Sequence, residues 1–156
     1  MQDTVMDVIN LIGNEDHKML EILMEIQDRS EYNYLTPEDI KDVSVALDIS
    51  ETKVFGLANF YAMLSTKKRG RHVIEVCNST PCYILNSDSI VEILEGILGV
   101  KVGEVTEDQL FSLEYTSCLG ACDASPAIKI DHKTYGHLDR GKIFNLLASI
   151  RREENI

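Results

Sequence analysis

The segment His72-Val-Ile-Glu-Val-Cys77-Asn-Ser-Thr-Pro-Cys82 leads from a β-rich run directly into a pair of cysteines. After 35 intervening residues a second pair follows as Cys118-Leu-Gly-Ala-Cys122, so all four cysteines of the chain lie in two short motifs. Paired thiolates at short spacing bring two soft ligands to one place, which is what a thiophilic metal centre needs. The two pairs therefore define the candidate functional site.

Each cysteine pair follows a predicted strand. Residues 72–76 predict one strand that ends at Cys77, and residues 110–115 predict a second that runs into Cys118. In the second strand the apolar positions alternate, as Phe111, Leu113 and Tyr115. We therefore expect both pairs on loops at the carboxyl ends of neighbouring strands, the edge of an α/β sheet where ligands commonly gather.

The rest of the second half alternates between helix and strand signals. A helical stripe closed by Gly99 separates the two strands, a hairpin is predicted around residues 131–133, and Asp139 can cap a last helix. The stripe consists of Ile90, Ile93, Leu94, Ile97 and Leu98, and the last helix carries Ile143, Leu146, Leu147 and Ile150. The order strand, helix, strand, strand, strand, helix is typical of a thioredoxin-like arrangement.

The first half carries helical signals instead. A stripe of apolar residues predicts a helix over 17–27, Thr36-Pro37 is a strong helix start, and Ser50 opens a third helix. We interpret the aromatic residues Phe55, Phe60 and Tyr61 as packing residues of this three-helix bundle. The composition shifts at the basic residues 67–71. The sequence thus predicts an α+β protein with a helical bundle over 1–68 and a thioredoxin-like domain over 69–156.

Composition narrows the classes of function. The chain has 156 residues and a formal net charge of −11, which argues against a nucleic-acid partner because phosphate binding needs a basic surface. No apolar run approaches the ~20 residues that span a bilayer, and the start lacks the features of a signal peptide. We therefore expect a cytoplasmic protein without direct membrane insertion, whose thiols stay reduced.

Three chemistries compete for the four cysteines. A structural zinc site usually has two matching knuckles, whereas the intervals here are four and three residues. A dithiol oxidoreductase would need Cys-x-x-Cys, which this sequence lacks. A [2Fe–2S] cluster is held by four thiolates, and unequal spacing suits it. Spacing favours the iron–sulfur cluster, with zinc second and disulfides or free thiols third.

The residues around the cysteines suit an iron–sulfur cluster. Asn78, Ser79 and Thr80 offer hydrogen-bond donors to sulfur, and Gly120 allows a close approach of the backbone. The histidines are scattered through the chain, and we interpret each as a surface or turn residue rather than a ligand; they are His17, His72, His132 and His137. Of these, His137 alone keeps a hypothetical role as an outer-shell group of the site.

These motifs carry a resemblance to a known family. Cys77-Asn-Ser-Thr-Pro-Cys82, residues 86–90 and Cys118-Leu-Gly-Ala-Cys122 resemble the thioredoxin-like [2Fe–2S] subunit of NADH dehydrogenases. That family includes the 24 kDa subunit of respiratory complex I and the small subunits of NAD(P)-linked, electron-bifurcating hydrogenases and formate dehydrogenases. Gly56-Leu-Ala-Asn-Phe-Tyr-Ala-Met63, residues 101–106 and Tyr135-Gly136 are similar to further family positions.

The resemblance implies a non-catalytic electron-transfer subunit with one [2Fe–2S] cluster on Cys77, Cys82, Cys118 and Cys122. It also implies a larger partner subunit that carries FMN, [4Fe–4S] clusters and the NAD(H) site, alongside further subunits of the same complex. A zinc-stabilised adaptor without a redox role is the alternative. The chain departs from the family pattern at Leu85, where members often have Arg, and at Ala124-Ser125-Pro126. Both departures are expected to affect the cluster's potential or the partner contact.

Overall fold

The computed structural model describes residues 2–84 and 87–154, so Leu85 and Asn86 lie outside the described residues. The chain forms two compact units, Met1–Arg69 and Gly70–Ile156. The domains predicted from the sequence cover 1–68 and 69–156. Their status as separate units of folding and function stays a prediction. Among the described residues, no helix is long and apolar enough to cross a membrane.

The first unit contains four α-helices in its described residues, one more than the sequence predicted. The additional helix is α1, and its buried residues Val5, Val8 and Ile9 follow helical spacing. The same spacing is present in the sequence, and the prediction of only three helices was wrong. The helices are α1 (Gln2–Ile12), α2 (Met19–Arg29), α3 (Pro37–Ala46) and α4 (Glu51–Phe60), with a 3-10 turn at Asp16–Lys18 before α2.

The predicted helix starts are confirmed. Thr36 accepts a hydrogen bond from the Asp39 backbone, and the Asp39 side chain accepts one from the Thr36 backbone, so the two form a capping box before Pro37. Ser50 caps α4 through the backbone N–H of Lys53. The apolar stripes of these helices close one core that includes Ile22, Leu23, Leu35, Val43 and Val54.

Two of the three aromatic residues near the end of α4 are exposed. Phe55 is 52% exposed and Phe60 80%, whereas Tyr61 packs partly against the core of this unit. The interpretation of Phe55 and Phe60 as packing residues was therefore wrong. The helix ends at Phe60, and its buried face is occupied by Val54 and Ala58.

The second unit has the predicted thioredoxin-like order of elements. The strands are β1 (His72–Cys77), β2 (Phe111–Thr116), β3 (Ile128–Ile130) and β4 (Lys133–Tyr135); the helices are α5 (Thr80–Ile84), α6 (Ser87–Leu98) and α7 (Arg140–Glu154). The strands form one sheet in the order β2-β1-β3-β4, with β1 parallel to β2 and the other neighbours antiparallel. The predicted hairpin and Asp139 cap are confirmed, since Asp139 Oδ1 accepts from the backbone N–H of Lys142 at 2.8 Å.

Alternate residues of β1, β2 and β3 pack with the apolar stripes of α6 and α7. Together they form one core that includes Ile74, Leu94, Phe111, Leu113 and Ile143. Tyr115 continues the alternation of β2 but is 51% exposed, because it lies near the end of the strand where the cysteine segments begin. The core thus fixes the register of the strands and leaves their carboxyl ends open.

Gly70 lies where the chain enters the second unit, and it packs against the backbone of β2. A Cβ atom at this position would lie 2.6 Å from the backbone nitrogen of Ser112 and closer still to the carbonyl carbon of Phe111. Pairing with β1 and the burial of Phe111 and Leu113 hold the backbone of β2 in place, so its atoms cannot move aside easily and only glycine fits here.

We predict that Gly70→Ala destabilises the second unit by about 1–3 kcal/mol, because the added methyl group overpacks β2. Gly96→Ala is the matched control: it lies in α6 with nothing within 4 Å of its Cβ position, and alanine there should be neutral or up to ~1 kcal/mol stabilising. Urea unfolding followed by circular dichroism measures both, and equal midpoints for the two variants would contradict the packing argument.

Candidate metal centre

The parallel pairing of β1 and β2 brings the two cysteine segments to the same edge of the sheet. The strands pair in register from His72 opposite Phe111 to Cys77 opposite Thr116. Cys77 is thus the last residue of its strand, and Cys118 follows the end of the neighbouring strand by two residues. The expectation that both pairs follow the carboxyl ends of adjacent strands is confirmed.

The second cysteine of each pair lies in a helical turn, and Cys77 is still part of β1, so the expectation that both pairs lie on loops was wrong for three of the four cysteines. Cys82 is in α5, and Cys122 begins a 3-10 turn over Cys122–Ala124. Pro81 falls in the first turn of α5, where a residue without a backbone N–H is tolerated. In the first segment the helical turn brings the Cys82 thiol to the Cys77 sulfur, to which it donates a hydrogen bond.

The four cysteines are free thiols with graded exposure. Cys77 is 2% exposed, Cys82 is half-buried, and Cys118 and Cys122 are exposed. The site therefore has a buried side at the strand end and an open side at the second pair.

Several hydrogen-bond donors converge on the sulfur of Cys77. Burial alone would raise the pKa of this thiol, but donors to its sulfur outweigh burial and lower the pKa to about 7. The donors are the hydroxyl and backbone N–H of Ser79, the thiol of Cys82 and the backbone N–H of Leu119. Ser79 was predicted as a donor to sulfur; Leu119 was not, because a donation from the other cysteine segment depends on the strand pairing.

Cys82 is affected by all three of the other cysteines. Its hydrogen bond to the Cys77 sulfur, then its burial and the charges of Cys77, Cys122 and Cys118 raise the pKa of Cys82 to about 11. Thiols from both segments therefore form a single electrostatic group. Because like charges repel there, the group can hold four thiolates together only when cations compensate them.

Two glycines shape the open side of the site. Gly120 has a φ of +71°, which suits glycine, and its backbone N–H donates to the sulfur of Cys118 at 3.4 Å. Gly136 lies against Ala124, whose carbonyl oxygen would be 2.7 Å from a Cβ atom at Gly136. The motif Tyr135-Gly136 thus supports the segment that follows Cys122, a role that its position in the sequence alone does not reveal.

The histidines do not join the thiols. His137 is exposed, and it supports the site only through its backbone N–H, which donates to the carbonyl oxygen of Ala124 at 2.6 Å. His72 lies at the other end of β1 from Cys77 and is half-buried beside Asp131, so the interpretation of His72 as a surface or turn residue was wrong.

The donor set fits a two-iron cluster. Within residues 2–84 and 87–154, no three His, Cys, Asp or Glu side chains are arranged to hold a single metal ion. The structure brings together thiols from both cysteine pairs, with N–H and O–H donors directed at the sulfurs of Cys77 and Cys118. Four thiolates with hydrogen bonds to sulfur are the usual surroundings of a [2Fe–2S] cluster.

The family model of the thioredoxin-like [2Fe–2S] ferredoxins matches residues 5–151. The chain belongs to this family. It therefore has a [2Fe–2S] cluster as its cofactor and is an electron-transfer subunit of an oxidoreductase.

Similar curated proteins are subunits of one kind of enzyme, NADH-quinone oxidoreductase. The subunit from Rickettsia conorii is 34% identical over 131 residues, which cover 84% of this chain and 78% of that protein. The subunit with the same name from Rickettsia felis is 35% identical to this chain, over 80% of this chain and 75% of the Rickettsia felis protein. A corresponding subunit from Rhizobium meliloti is 30% identical over 82% of this chain and 76% of its own length. These relatives belong to larger complexes, which implies partner subunits for this chain.

Solved structures share the fold. A crystal structure of an NAD+-reducing [NiFe]-hydrogenase in the air-oxidized state matches with a TM-score of 0.75 over 87% of this chain at 19% identity. The H2-reduced state of such a hydrogenase matches with a TM-score of 0.76 over 86% at 20% identity. The chain spans only 23% and 22% of the lengths of those hydrogenase chains. The likeness confirms the thioredoxin-like architecture.

We predict that Ser79→Ala raises the pKa of Cys77 above about 7 in the metal-free protein. The hydroxyl stabilises the thiolate, so its removal favours the thiol and moves the titration to higher pH. The measurement is an NMR titration of 13Cβ-labelled cysteine, which needs no reagent to reach the buried sulfur. Ser125→Ala, the same substitution near the other pair, is the control and should leave the Cys77 titration in place. An unchanged Cys77 midpoint in Ser79→Ala would count against the hydroxyl as a donor.

Proposed function

We propose that Cys77, Cys82, Cys118 and Cys122 hold the [2Fe–2S] cluster and that this chain exchanges single electrons with the flavin of a partner subunit. The observation that carries the proposal is the convergence of four free thiols, from two adjacent strand ends, into one electrostatic group. When bound, the cluster supplies a one-electron redox centre, whereas a flavin carries two electrons.

The donors around the sulfurs have a defined role in this proposal. The Ser79 hydroxyl and the backbone N–H groups of Leu119 and Gly120 point at cysteine sulfurs. Hydrogen bonds to sulfur stabilise the more negative, reduced form of a cluster and so raise its reduction potential. These residues thus set how readily the chain accepts an electron.

Because the second cysteine pair is exposed, electrons can enter and leave the proposed cluster on the side of this pair. Cys118 and Cys122 are exposed while Cys77 is buried, so the redox centre would lie near the surface on the side of residues 118–122. A partner surface that covers this side would bring its own redox group close without any rearrangement of the sheet. Hydride transfer then belongs to the partner, and this chain is non-catalytic.

The proposed partner is a larger subunit that carries FMN, [4Fe–4S] clusters and the NAD(H) site. Relatives named as subunits of NADH-quinone oxidoreductase and the fold shared with NAD+-reducing hydrogenases support such a partner. The complex is an NADH dehydrogenase, a hydrogenase or a formate dehydrogenase, and we propose a cytoplasmic location. The net charge of −11 supports a protein partner and not nucleic acid.

The test uses the purified, cluster-loaded chain under anaerobic conditions. Photoreduced FMN should bleach its visible absorption with an uptake of one electron per chain, because a [2Fe–2S] cluster is a one-electron centre. NADH alone should leave the absorption unchanged, since hydride transfer is assigned to the partner. An uptake of two electrons, as for a dithiol–disulfide pair, would contradict the proposal.

Cys118→Ser is the matched variant for this experiment. It removes one proposed ligand and should lose most of the bound iron and the bleaching by reduced FMN. Helical circular dichroism from α1–α4 should remain, because that unit has its own core. Unchanged iron content would show that Cys118 is not a ligand.

A further inference from the structure

A cluster of side chains with alternating charges lies at the start of β1, at the opposite end of this strand from Cys77. His72 Nδ1 lies 2.7 Å from Asp131 Oδ2, and His72 Nε2 lies 3.4 Å from Glu154 Oε1. Glu154 also accepts a hydrogen bond from the Arg71 guanidinium at 2.9 Å. Three parts of the second unit meet here: the start of β1, the turn of the β3–β4 hairpin and the last turn of α7.

Asp131 is fixed in place independently of His72. Its Oδ1 accepts a hydrogen bond from the backbone N–H of Val73 at 2.9 Å, and its own N–H donates to the Val73 carbonyl oxygen at 3.0 Å. A carboxylate only accepts hydrogen bonds, so the Nδ1 atom of His72 carries a proton.

The Nε2 atom of His72 is buried and makes no hydrogen bond within the structure, although a carboxylate oxygen of Glu154 lies nearby. In neutral His72 the lone pair of the buried Nε2 atom would face that negatively charged oxygen of the exposed Glu154, which is unfavourable. A proton on Nε2 removes the repulsion and creates an ion pair. The geometry therefore favours imidazolium over imidazole.

The charges around the ring agree with this protonation. When His72 is protonated, the cluster of Asp131, His72, Glu154 and Arg71 contains two cations and two anions. When His72 is neutral, the cluster has a net negative charge. Of the charged groups beside this cluster, Arg151 of α7 pairs with Asp108 at 3.5 Å. The His72 ring also packs against the Phe111 ring of β2, with 5.9 Å between centroids, which shields one side from water.

We propose that His72 is a proton-dependent clamp: its imidazolium joins the last turn of α7 to the start of β1 and to the hairpin turn. Loss of the proton removes the ion pair between His72 and Glu154, leaves the one between Arg71 and Glu154, and weakens the attachment of the last turn of α7. The clamp makes the packing of this helix end sensitive to pH.

The direction of the pH dependence follows from the surroundings. The hydrogen bond to Asp131 outweighs partial burial and, with Glu154, raises the pKa of His72 above its ordinary value of 6.5. A group whose pKa is raised by folding stabilises the fold below its unfolded pKa, and that stabilisation is lost as pH rises through the folded pKa. The clamp is thus closed in acid and opens as pH increases.

The direct test is an NMR titration of the histidine ring protons in the full chain. His72 should titrate above 6.5, and Glu154→Gln should move its midpoint to lower pH because one of its two carboxylate partners is neutralised. A His72 midpoint at or below 6.5 in the unmodified chain would overturn the proposal. So would a midpoint that Glu154→Gln leaves unchanged.

A second measurement separates a proton-dependent role from a merely structural one. His72→Gln should be less stable to heat than the unmodified chain at about pH 6, and the difference should disappear above the His72 midpoint. His17→Gln, which removes a histidine from the other unit, is the control for any pH dependence of the cofactor itself. A stability loss in His72→Gln that is equal at all pH values would overturn the clamp.

Discussion

The parallel pairing of β1 with β2 is the constraint on which the site depends. Because the two strands run in the same direction and pair up to Cys77 opposite Thr116, their following segments emerge side by side. Neither cysteine segment could supply four thiols alone, and their sequence separation makes the convergence a property of the fold. The core beneath the strands, centred on residues such as Ile74 and Leu113, holds this register. Packing far from the sulfurs therefore fixes the site.

Electrostatics explains why such a site needs its cofactor. Hydrogen-bond donors, led by Ser79, outweigh burial and lower the pKa of Cys77 to about 7, whereas the hydrogen bond to Cys77, burial and the neighbouring thiols raise the pKa of Cys82 to about 11. Protons therefore oppose the formation of four thiolates. Iron would displace these protons, and its positive charge would offset the repulsion that keeps one thiol protonated. The same reasoning explains the N–H and O–H donors at Ser79, Leu119 and Gly120, which stabilise negative charge on sulfur. The chain as a whole is acidic, so this stabilisation is local.

Much of the architecture could be predicted from sequence because it rests on local physics. Capping at Thr36, the stripe of α6 and the alternation of β2 each follow from the spacing of a few residues. The exposure of Phe60 follows from the same kind of spacing, because Phe60 is two residues after the buried Ala58 and so lies on the opposite side of α4. The donor at Leu119 depends on a strand pairing that brings distant segments together. His72 shows the same limit, because its partners Asp131 and Glu154 lie 59 and 82 residues away in sequence. The role of the cysteines could be predicted, since their residue type and their spacing in pairs indicate metal binding. The contacts of the surrounding hydrogen-bond donors and of Gly136 are seen only in the structure.

In our proposal, the four thiols hold an iron–sulfur cluster and the chain carries single electrons. Such a cluster has a distinctive chemical signature. Metal and sulfide analysis of the anaerobically purified chain, combined with EPR after one-electron reduction, tests for it most directly. We expect iron and acid-labile sulfide in equal amounts and an EPR signal from a spin of one-half that appears only on reduction. A colourless protein that contains zinc, lacks iron and sulfide, and stays EPR-silent would contradict the cluster and its redox role together.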